Sequence, residues 1–232
     1  MELVWIILLG LLGGWAVNVL ADALPTARPV RAVWAATWQA WRPGRQPVHV
    51  WRRRAVLIVA VLPVWLAVRT AGWSAQAAVL TLYAWFFLAV AVIDLEHRKV
   101  LNRMLGPALL AMLGISLWLG RPTPASALLG ALAGFGFFLL VALLRRGGMG
   151  MGDVKLAGVI GLATGLGGLL VALVVGILAG GVAALVLLGV TRFDRRATMA
   201  YAPYLVVGAW TALFWGESLW AWYADYLLRL AA

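Results

Sequence analysis

The sequence lacks cysteine and has few charged residues, since none of its 232 residues is Cys and only 12% are Asp, Glu, Lys or Arg. Without cysteine, this chain forms no disulfide bond and no zinc site with thiolate ligands. Soluble domains carry about 25% charged and about 45–50% apolar residues, whereas 65% of this chain is apolar. A water-soluble fold of this size cannot bury so much apolar surface, and the same composition excludes intrinsic disorder. The sequence therefore predicts an all-α membrane protein with several spans.

Eight apolar stretches have the length of a membrane-spanning helix, because a bilayer core of about 30 Å requires about 20 helical residues. They cover approximately 3–24, 55–70, 75–93, 104–119, 125–144, 154–168, 169–190 and 199–216. The sixth and seventh stretches meet in the glycine-rich segment 165–168, which is compatible with a turn or with a close helix contact. The alternative to eight spans is therefore seven.

Basic residues are concentrated on one side of this predicted topology. The formal net charge is +11. If the N-terminus lies outside and the spans alternate, 16 of the 19 Lys and Arg residues lie inside, and the other three are Arg69, Arg121 and Arg229. This bias is typical of cytoplasmic loops. It explains the positive charge without a nucleic-acid partner.

Residues 25–54 form a polar insertion within a single transmembrane domain predicted over 1–232. Trp34, Trp38 and Trp41 recur in it at helical spacing, which favours an amphipathic helix at the inner membrane interface. Two interpretations remain open for this helix: it docks a substrate, or it is a linker anchored by tryptophan.

Few residues are suited to chemistry at membrane depth. Histidine occurs only at positions 49 and 97. The sequence therefore has neither a His-Glu-x-x-His zinc helix nor a histidine beside a serine inside the bundle. The centres of the predicted spans lack carboxylates and histidine, which argues against proton-coupled transport. No metal and no cofactor is predicted.

The remaining candidates are acidic residues at the inner ends of spans. Asp94 closes the third predicted span and Asp153 opens the sixth, while Asp22 closes the first. Two close carboxylates can share one proton. The ionised carboxylate then accepts a proton from water, and the protonated one donates to a substrate carbonyl. Asp153, at a helix N-terminus near Lys155, is predicted to carry the charge, and Asp94, at a helix C-terminus, the proton.

Four glycines, at positions 147, 148, 150 and 152, immediately precede Asp153. Glycine allows a positive φ and a close approach between two backbones. This segment is therefore either an open edge on which an extended substrate could lie or a flexible cytoplasmic turn. The residues alone leave both interpretations open.

The segment Gly150-Met151-Gly152-Asp153-Val154-Lys155 resembles the Gly-x-Gly-Asp-x-Lys signature of the type IV prepilin peptidases, a branch of the GxGD intramembrane aspartyl proteases. Residues 93–98 are similar to the first-aspartate segment of that family. Weaker similarities occur at 13–19, 24–25, 100–102 and 202–208. The resemblance runs in order from about residue 10 to residue 208 and includes both aspartates.

This resemblance implies an aspartic endopeptidase that removes short basic leaders from prepilins or pseudopilins at the cytoplasmic face of the bacterial inner membrane. Asp94 and Asp153 correspond to the catalytic pair, and Lys155 to a supporting positive charge. Asp22 and Glu96 are expected to be structural or to contact substrate. Anionic lipid headgroups, or acidic groups such as Glu96, would attract the basic leader. The remaining supporting positions are Gly150, Gly152 and Pro203.

The sequence also departs from the family pattern. Many bacterial members methylate the new pilin N-terminus and carry two Cys-x-x-Cys pairs between the first two helices. Segment 25–54 has no cysteine, so we predict that methyltransferase activity is absent. Leu101 stands where proline is usual, and Gly14 where serine is usual. The alternative functions are a preflagellin-type GxGD peptidase, a non-catalytic scaffold and a transporter. The oligomeric state is not predicted.

Overall fold

The structure, a computed structural model, describes residues 1–25, 47–144, 149–190 and 200–231, and within these ranges it is helical and contains no strand. The predicted all-α architecture is thus confirmed. The amphipathic helix predicted within 25–54 lies largely outside the described residues. The helices are α1 (Glu2–Ala23), α2 (Pro47–Val59), α3 (Val61–Ala71), α4 (Ala75–His97), α5 (Asn102–Leu119), α6 (Pro124–Leu144), α7 (Met151–Val190) and α8 (Ala202–Ala231).

Six helical segments of the described chain are long and apolar enough to cross a membrane, which confirms the prediction of a polytopic membrane protein. One of them, Val50–Ala71, joins α2 and α3 across a short break at Ala60. Two predicted spans, 154–168 and 169–190, fall together in the 40-residue α7. Helix α8 covers residues 202–216 of the predicted stretch 199–216 and is not among the six.

Helix α7 is interrupted at Gly165, whose φ of 71° and ψ of −179° are not helical. As one straight helix, its 40 residues would extend about 60 Å, about twice the thickness of a bilayer core. A Cβ atom on Gly134 of α6 would lie 2.5 Å from the Ala157 carbonyl oxygen and 3.1 Å from Leu169 Cδ1. Residues on either side of the break thus lie beside the same point of α6. Helix α7 therefore folds back on itself, as a turn in the segment 165–168 would predict.

Helix α6 supplies the group that completes this turn. The amide of Leu166, the first residue after the break, donates a hydrogen bond of 3.0 Å to Ser126 Oγ. The first amides of a helix have no partner within their own helix. A side chain at Gly165 would collide with this contact, since a Cβ atom there would lie 2.7 Å from Ser126 Oγ. The turn thus requires both a glycine and a hydroxyl from a neighbouring helix.

The described residues divide into two compact units, Met1–His97 and Arg98–Ala232. In the first unit, Gly13 of α1 packs against the indole ring of Trp85 in α4. The same indole donates a hydrogen bond of 2.9 Å to the carbonyl oxygen of Ala60, at the break between α2 and α3. Trp85 therefore joins α1, α4 and the broken second span. The single domain predicted over 1–232 remains a prediction.

In the second unit, small residues bring α6 and the first arm of α7 into backbone contact. Gly130 and Gly161 face each other so closely that a Cβ atom on either would meet the carbonyl of the other. Gly134 faces Ala157 in the same way. Each step of four residues forward along α6 thus corresponds to four residues back along α7, so the two helices are antiparallel. Close packing of small residues is typical of helices in membranes.

Candidate active site

Asp94 lies in the last turn of α4, in the first unit, and only 5% of its surface is exposed. The three residues before it are also buried, whereas the residues from Leu95 to Lys99 are exposed. Asp94 is therefore the last buried residue before the polar end of the helix, where the sequence places it. The chain leaves the helix through Arg98, whose φ of 51° is left-handed.

Asp153 lies in the first turn of α7, in the second unit, and is partly buried. The amides of Asp153 and Val154 donate to the carbonyl oxygen of Gly150 at 3.0 and 3.4 Å. A Cβ atom on Gly150 would lie 3.5 Å from Asp153 Oδ2. The carboxylate thus turns back over the start of the helix. The macrodipole at a helix N-terminus stabilises an anion there.

The start of α7 is tied to the short segment 100–102. Lys155 Nζ donates a hydrogen bond of 2.9 Å to Asn102 Oδ1. A Cβ atom on Gly152 would lie 2.8 Å from Val100 Cβ. The close approach expected of the glycines is therefore present at Gly152. This contact holds the first turn of α7, and with it Asp153, against the segment that leads into α5.

Neither described glycine of this segment, Gly150 or Gly152, adopts the positive φ that glycine allows. Positive φ among the described glycines occurs at Gly72, Gly120 and Gly165. Helix α7 already begins at Met151, so Gly152 belongs to its first turn. The other two glycines, at 147 and 148, lie outside the described residues.

Asp22 and Glu96 belong to a cluster of ion pairs in the first unit with Arg52 and Arg53, which we call the Arg52 cluster. Arg52 Nη2 lies 2.5 Å from Asp22 Oδ1, and its Nε lies 3.2 Å from Glu96 Oε1. Arg53 Nη2 lies 2.7 Å from Asp22 Oδ2. Two positive and two negative side chains thus neutralise one another. Sequence reasoning counted the two arginines only as inner-face charge and missed this pairing.

Pro203 is the second residue of α8, where a missing amide costs no helical hydrogen bond. Just before it, the carbonyl oxygen of Tyr201 accepts hydrogen bonds from the amides of Tyr204 and Leu205 at 3.1 and 3.4 Å. Burial and the negative charge of Asp153 raise the pKa of the Tyr201 phenol. Sequence reasoning missed Tyr201, although it immediately precedes the motif that contains Pro203.

The predicted site residues therefore form two groups. The first unit holds Asp94 and the Arg52 cluster with Asp22 and Glu96. The second unit holds Gly150, Gly152, Asp153 and Lys155 at the start of α7 and Pro203 at the start of α8. Tyr201, which was not predicted, immediately precedes α8. Within the described ranges, no group of three or more His, Cys, Asp or Glu side chains could hold a metal ion.

Comparison with known proteins agrees with the sequence motifs. Residues 81–185 match the type IV leader peptidase family, and this region contains both Asp94 and Asp153. A prepilin leader peptidase/N-methyltransferase of Aeromonas salmonicida is 30% identical over 178 residues, covering 74% of this chain and 60% of that protein. A protein of the same name in Bacillus subtilis is 34% identical over 143 residues, covering 61% of this chain and 57% of that protein. The protein of that name in Pseudomonas aeruginosa is 27% identical over 161 residues, covering 64% of this chain and 53% of that protein.

The chain thus spans between 53% and 60% of the length of these relatives. No solved structure matches it. The family match extends from within α4 to the second arm of α7 and includes the Gly-x-Gly-Asp motif at 150–153. The sequence motifs, the helices that carry them and the relatives agree: residues 81–185 of this chain match the type IV leader peptidase family.

Proposed function

We propose that this chain is a membrane-embedded aspartic endopeptidase that removes the short basic leader from type IV prepilins or pseudopilins. One observation carries the proposal: both aspartates of the motif lie in the matched region 81–185, each at the end of a membrane-spanning helix. Burying a carboxylate at such a depth costs free energy, so its presence there indicates a functional role. Asp94, with 5% of its surface exposed, meets this description most clearly.

In the proposed reaction, the two aspartates share one proton and activate a water molecule. The water oxygen attacks the scissile carbonyl carbon while the ionised aspartate accepts a proton from the water. The protonated aspartate gives its proton to the carbonyl oxygen, which yields a neutral tetrahedral diol. Return of the first proton to the amide nitrogen allows the C–N bond to break, which releases the amine. One hydroxyl of the diol gives its proton to the carboxylate pair as the new carboxylic acid forms, so the pair again holds a single proton.

The position of each aspartate supports a division of roles. Asp153 lies in the first turn of α7, where the helix dipole favours a negative charge. Asp94 lies in the last turn of α4, where the dipole disfavours one. We therefore assign the resting charge to Asp153 and the resting proton to Asp94. Because close carboxylates titrate as a pair, this assignment describes the pair rather than two independent groups.

The charge distribution supports cleavage at the cytoplasmic face of the bacterial inner membrane, with the N-terminus outside. On this topology both aspartates lie at the inner face, together with 16 of the 19 basic residues. The Arg52 cluster changes one expectation about substrate recognition. Asp22 and Glu96 are already paired with arginines, so anionic lipid headgroups are the better attraction for a basic leader.

We further propose that this chain does not methylate its product. The curated relatives have N-methyltransferase in their names, whereas segment 25–54 here contains no cysteine to form a thiolate zinc site. The product of cleavage can be analysed by mass spectrometry after incubation with S-adenosylmethionine. An unmodified N-terminus is expected, and a mass increase of one methyl group would contradict this part of the proposal.

The peptidase proposal is tested with purified protein, a prepilin and detergent micelles, with leader removal followed by mass spectrometry. The wild type should cut the precursor, and Asp94→Asn and Asp153→Asn should each abolish cleavage. Asp225→Asn is the matched control, because Asp225 is exposed and, among the described residues, forms its ion pair with the exposed Arg229. Intact prepilin at high enzyme concentration would refute the main proposal, and residual cleavage by either active-site variant would refute the dyad. Cleavage of a preflagellin alone would favour the alternative peptidase.

A further inference from the structure

The ring of Tyr201 is held in a specific position by two other helices of the second unit. A Cβ atom on Gly180, in the second arm of α7, would lie 2.7 Å from Tyr201 Cε2. On another side, the centroids of the Tyr201 and Phe138 rings are 6.3 Å apart with an interplanar angle of 45°. Phe138 belongs to α6 and is 1% exposed. A missing side chain on one helix and a buried ring on another thus fix the place of this phenol.

The register of α6 against α7 independently places this ring at the level of Asp153. Gly130 faces Gly161, and Gly134 faces Ala157. One further turn along α6 leads to Phe138, and the equivalent turn back along α7 leads to Asp153. Phe138 and Asp153 are therefore level with each other. Because Tyr201 packs on Phe138, its ring lies at the same level as the carboxylate.

The electrostatics of Tyr201 agree with this placement. Asp153 is the charged group whose field raises the pKa of the phenol, after burial as the larger cause. A phenol that keeps its proton is a hydrogen-bond donor, and a carboxylate is an acceptor. Lys155, the nearest cation along the chain, is exposed and bonded to Asn102. The phenol is thus a neutral donor within the electrostatic reach of Asp153.

We propose that Tyr201 is a positioning residue whose hydroxyl donates a hydrogen bond to the Asp153 carboxylate and orients it toward the attacking water. The inference rests on the proposed peptidase function and names a residue that the aspartate motif does not contain. Hydrogen bonds to ionised groups are stronger than neutral ones and fix direction. Tyr201 acts through Asp153 and does not itself exchange protons with the substrate.

The first test separates the hydroxyl from the ring. In Tyr201→Phe the ring remains, so we expect KM to be unchanged and kcat to fall about tenfold. Tyr223→Phe, at the far end of α8, should behave as the wild type. Gly180→Ala should lower kcat similarly because its methyl group displaces the Tyr201 ring, whereas Gly181→Ala should not, since a Cβ there meets nothing within 4 Å. In the Tyr201→Phe background, Gly180→Ala should cause no further loss.

The second test detects the contact without any substrate. In protein labelled with ¹³C at the tyrosine Cζ atoms, the Tyr201 resonance is identified by its absence in Tyr201→Phe. We expect Asp153→Asn to shift this resonance and Asp225→Asn to leave it in place. An unmoved resonance in Asp153→Asn, or an unchanged kcat for Tyr201→Phe in an active enzyme, would overturn the inference. Failure of the wild type to cut prepilin would instead overturn the proposed function, and the resonance would still report the contact.

Discussion

Arg52 Nε lies 3.2 Å from Glu96 Oε1, while Nη2 of the same guanidinium lies 2.5 Å from Asp22 Oδ1. One side chain of α2 thereby joins the ends of α1 and α4. Glu96 follows Asp94 by two residues, so this bridge holds the turn that carries the candidate catalytic carboxylate. Only 14% of the Arg52 side chain is exposed.

Replacement of Arg52 should therefore destabilise the protein. We expect Arg52→Leu to lower the free energy of unfolding by about 2 kcal/mol, between the values for exposed and for buried ion pairs. Arg52→Lys should recover only part of this, because an ammonium group lacks the guanidinium fork that reaches both carboxylates. The measurement is SDS-induced unfolding followed by circular dichroism. Arg229→Leu, which removes the exposed pair with Asp225, should have almost no effect, and equal losses for both variants would contradict the prediction.

We expect no side chain to be tolerated at Gly152 as long as Val100 retains its side chain. In Gly152→Ala, the new Cβ would lie 2.8 Å from Val100 Cβ, so we expect a loss of about 1–3 kcal/mol in the free energy of unfolding. Val100→Gly in the same chain should restore stability, whereas Val100→Ala should not, because alanine retains the colliding Cβ atom. Thermal unfolding in detergent measures all three. Gly106→Ala is the control, since a Cβ there meets nothing within 4 Å.

The glycine contact between α6 and α7 should be equally intolerant of added volume. A Cβ atom on Gly161 would collide with the carbonyl group of Gly130, so Gly161→Ala should force the two backbones apart. We expect a loss of at least about 2 kcal/mol in the free energy of unfolding, or a sharply reduced yield of folded protein. Gly136→Ala, in the same pair of helices, faces open space and should be neutral or slightly stabilising. Similar behaviour of the two variants would disprove this packing.

Ser126→Ala should loosen the turn in α7. The Leu166 amide would lose its acceptor, and removal of a helix-capping hydroxyl costs about 0.5–2 kcal/mol. Hydrogen exchange should therefore accelerate at Leu166 and its neighbours. Thr211→Val is the control, because its hydroxyl bonds a carbonyl within its own helix and its loss leaves no amide unpaired. Unchanged exchange at Leu166 in Ser126→Ala would show that the hydroxyl is dispensable.

Leader cleavage should not depend on a metal ion. The chain has no cysteine, and its described residues hold no cluster of three or more potential ligands. Prolonged treatment with EDTA should thus leave kcat and KM for leader removal unchanged. A loss of activity that added zinc restores would contradict an aspartate mechanism for this chain. Dialysis against metal-free buffer serves as the matched treatment.

The placement of the two aspartates could be predicted because the cost of a charge in a membrane confines carboxylates to the ends of spans. The break at Gly165 was one of two interpretations that the sequence allowed, because a glycine-rich segment between two apolar stretches is typical of a turn or of a close helix contact. The break at Ala60 could also have been predicted from Pro63, although residues 55–70 were interpreted as one uninterrupted span. Pro63 has no amide to donate, so it favours the first turn of a new helix, and α3 begins at Val61.

The partners of these residues could not be predicted in the same way. Arg52 and Glu96 are 44 residues apart, and a run of three arginines at the start of a span is typical of inner-face charge in general. Tyr201, likewise, is a residue type expected at any membrane interface. Its relation to Asp153 depends on which turn of α6 faces which turn of α7. The register of α6 against α7 arises from contacts between glycine backbones. Hydropathy cannot predict it.

The hydrogen bond between Leu166 and Ser126 also has a consequence for biogenesis. The acceptor precedes the donor by 40 residues, so α6 leaves the ribosome before the second arm of α7 does. The Ser126 hydroxyl is therefore already present when the chain reverses at Gly165. The Leu166 amide can then form its hydrogen bond as it enters the hydrocarbon and does not enter it unpaired. A permuted gene that encodes α7 ahead of α6 would reverse this order of synthesis and expose the turn.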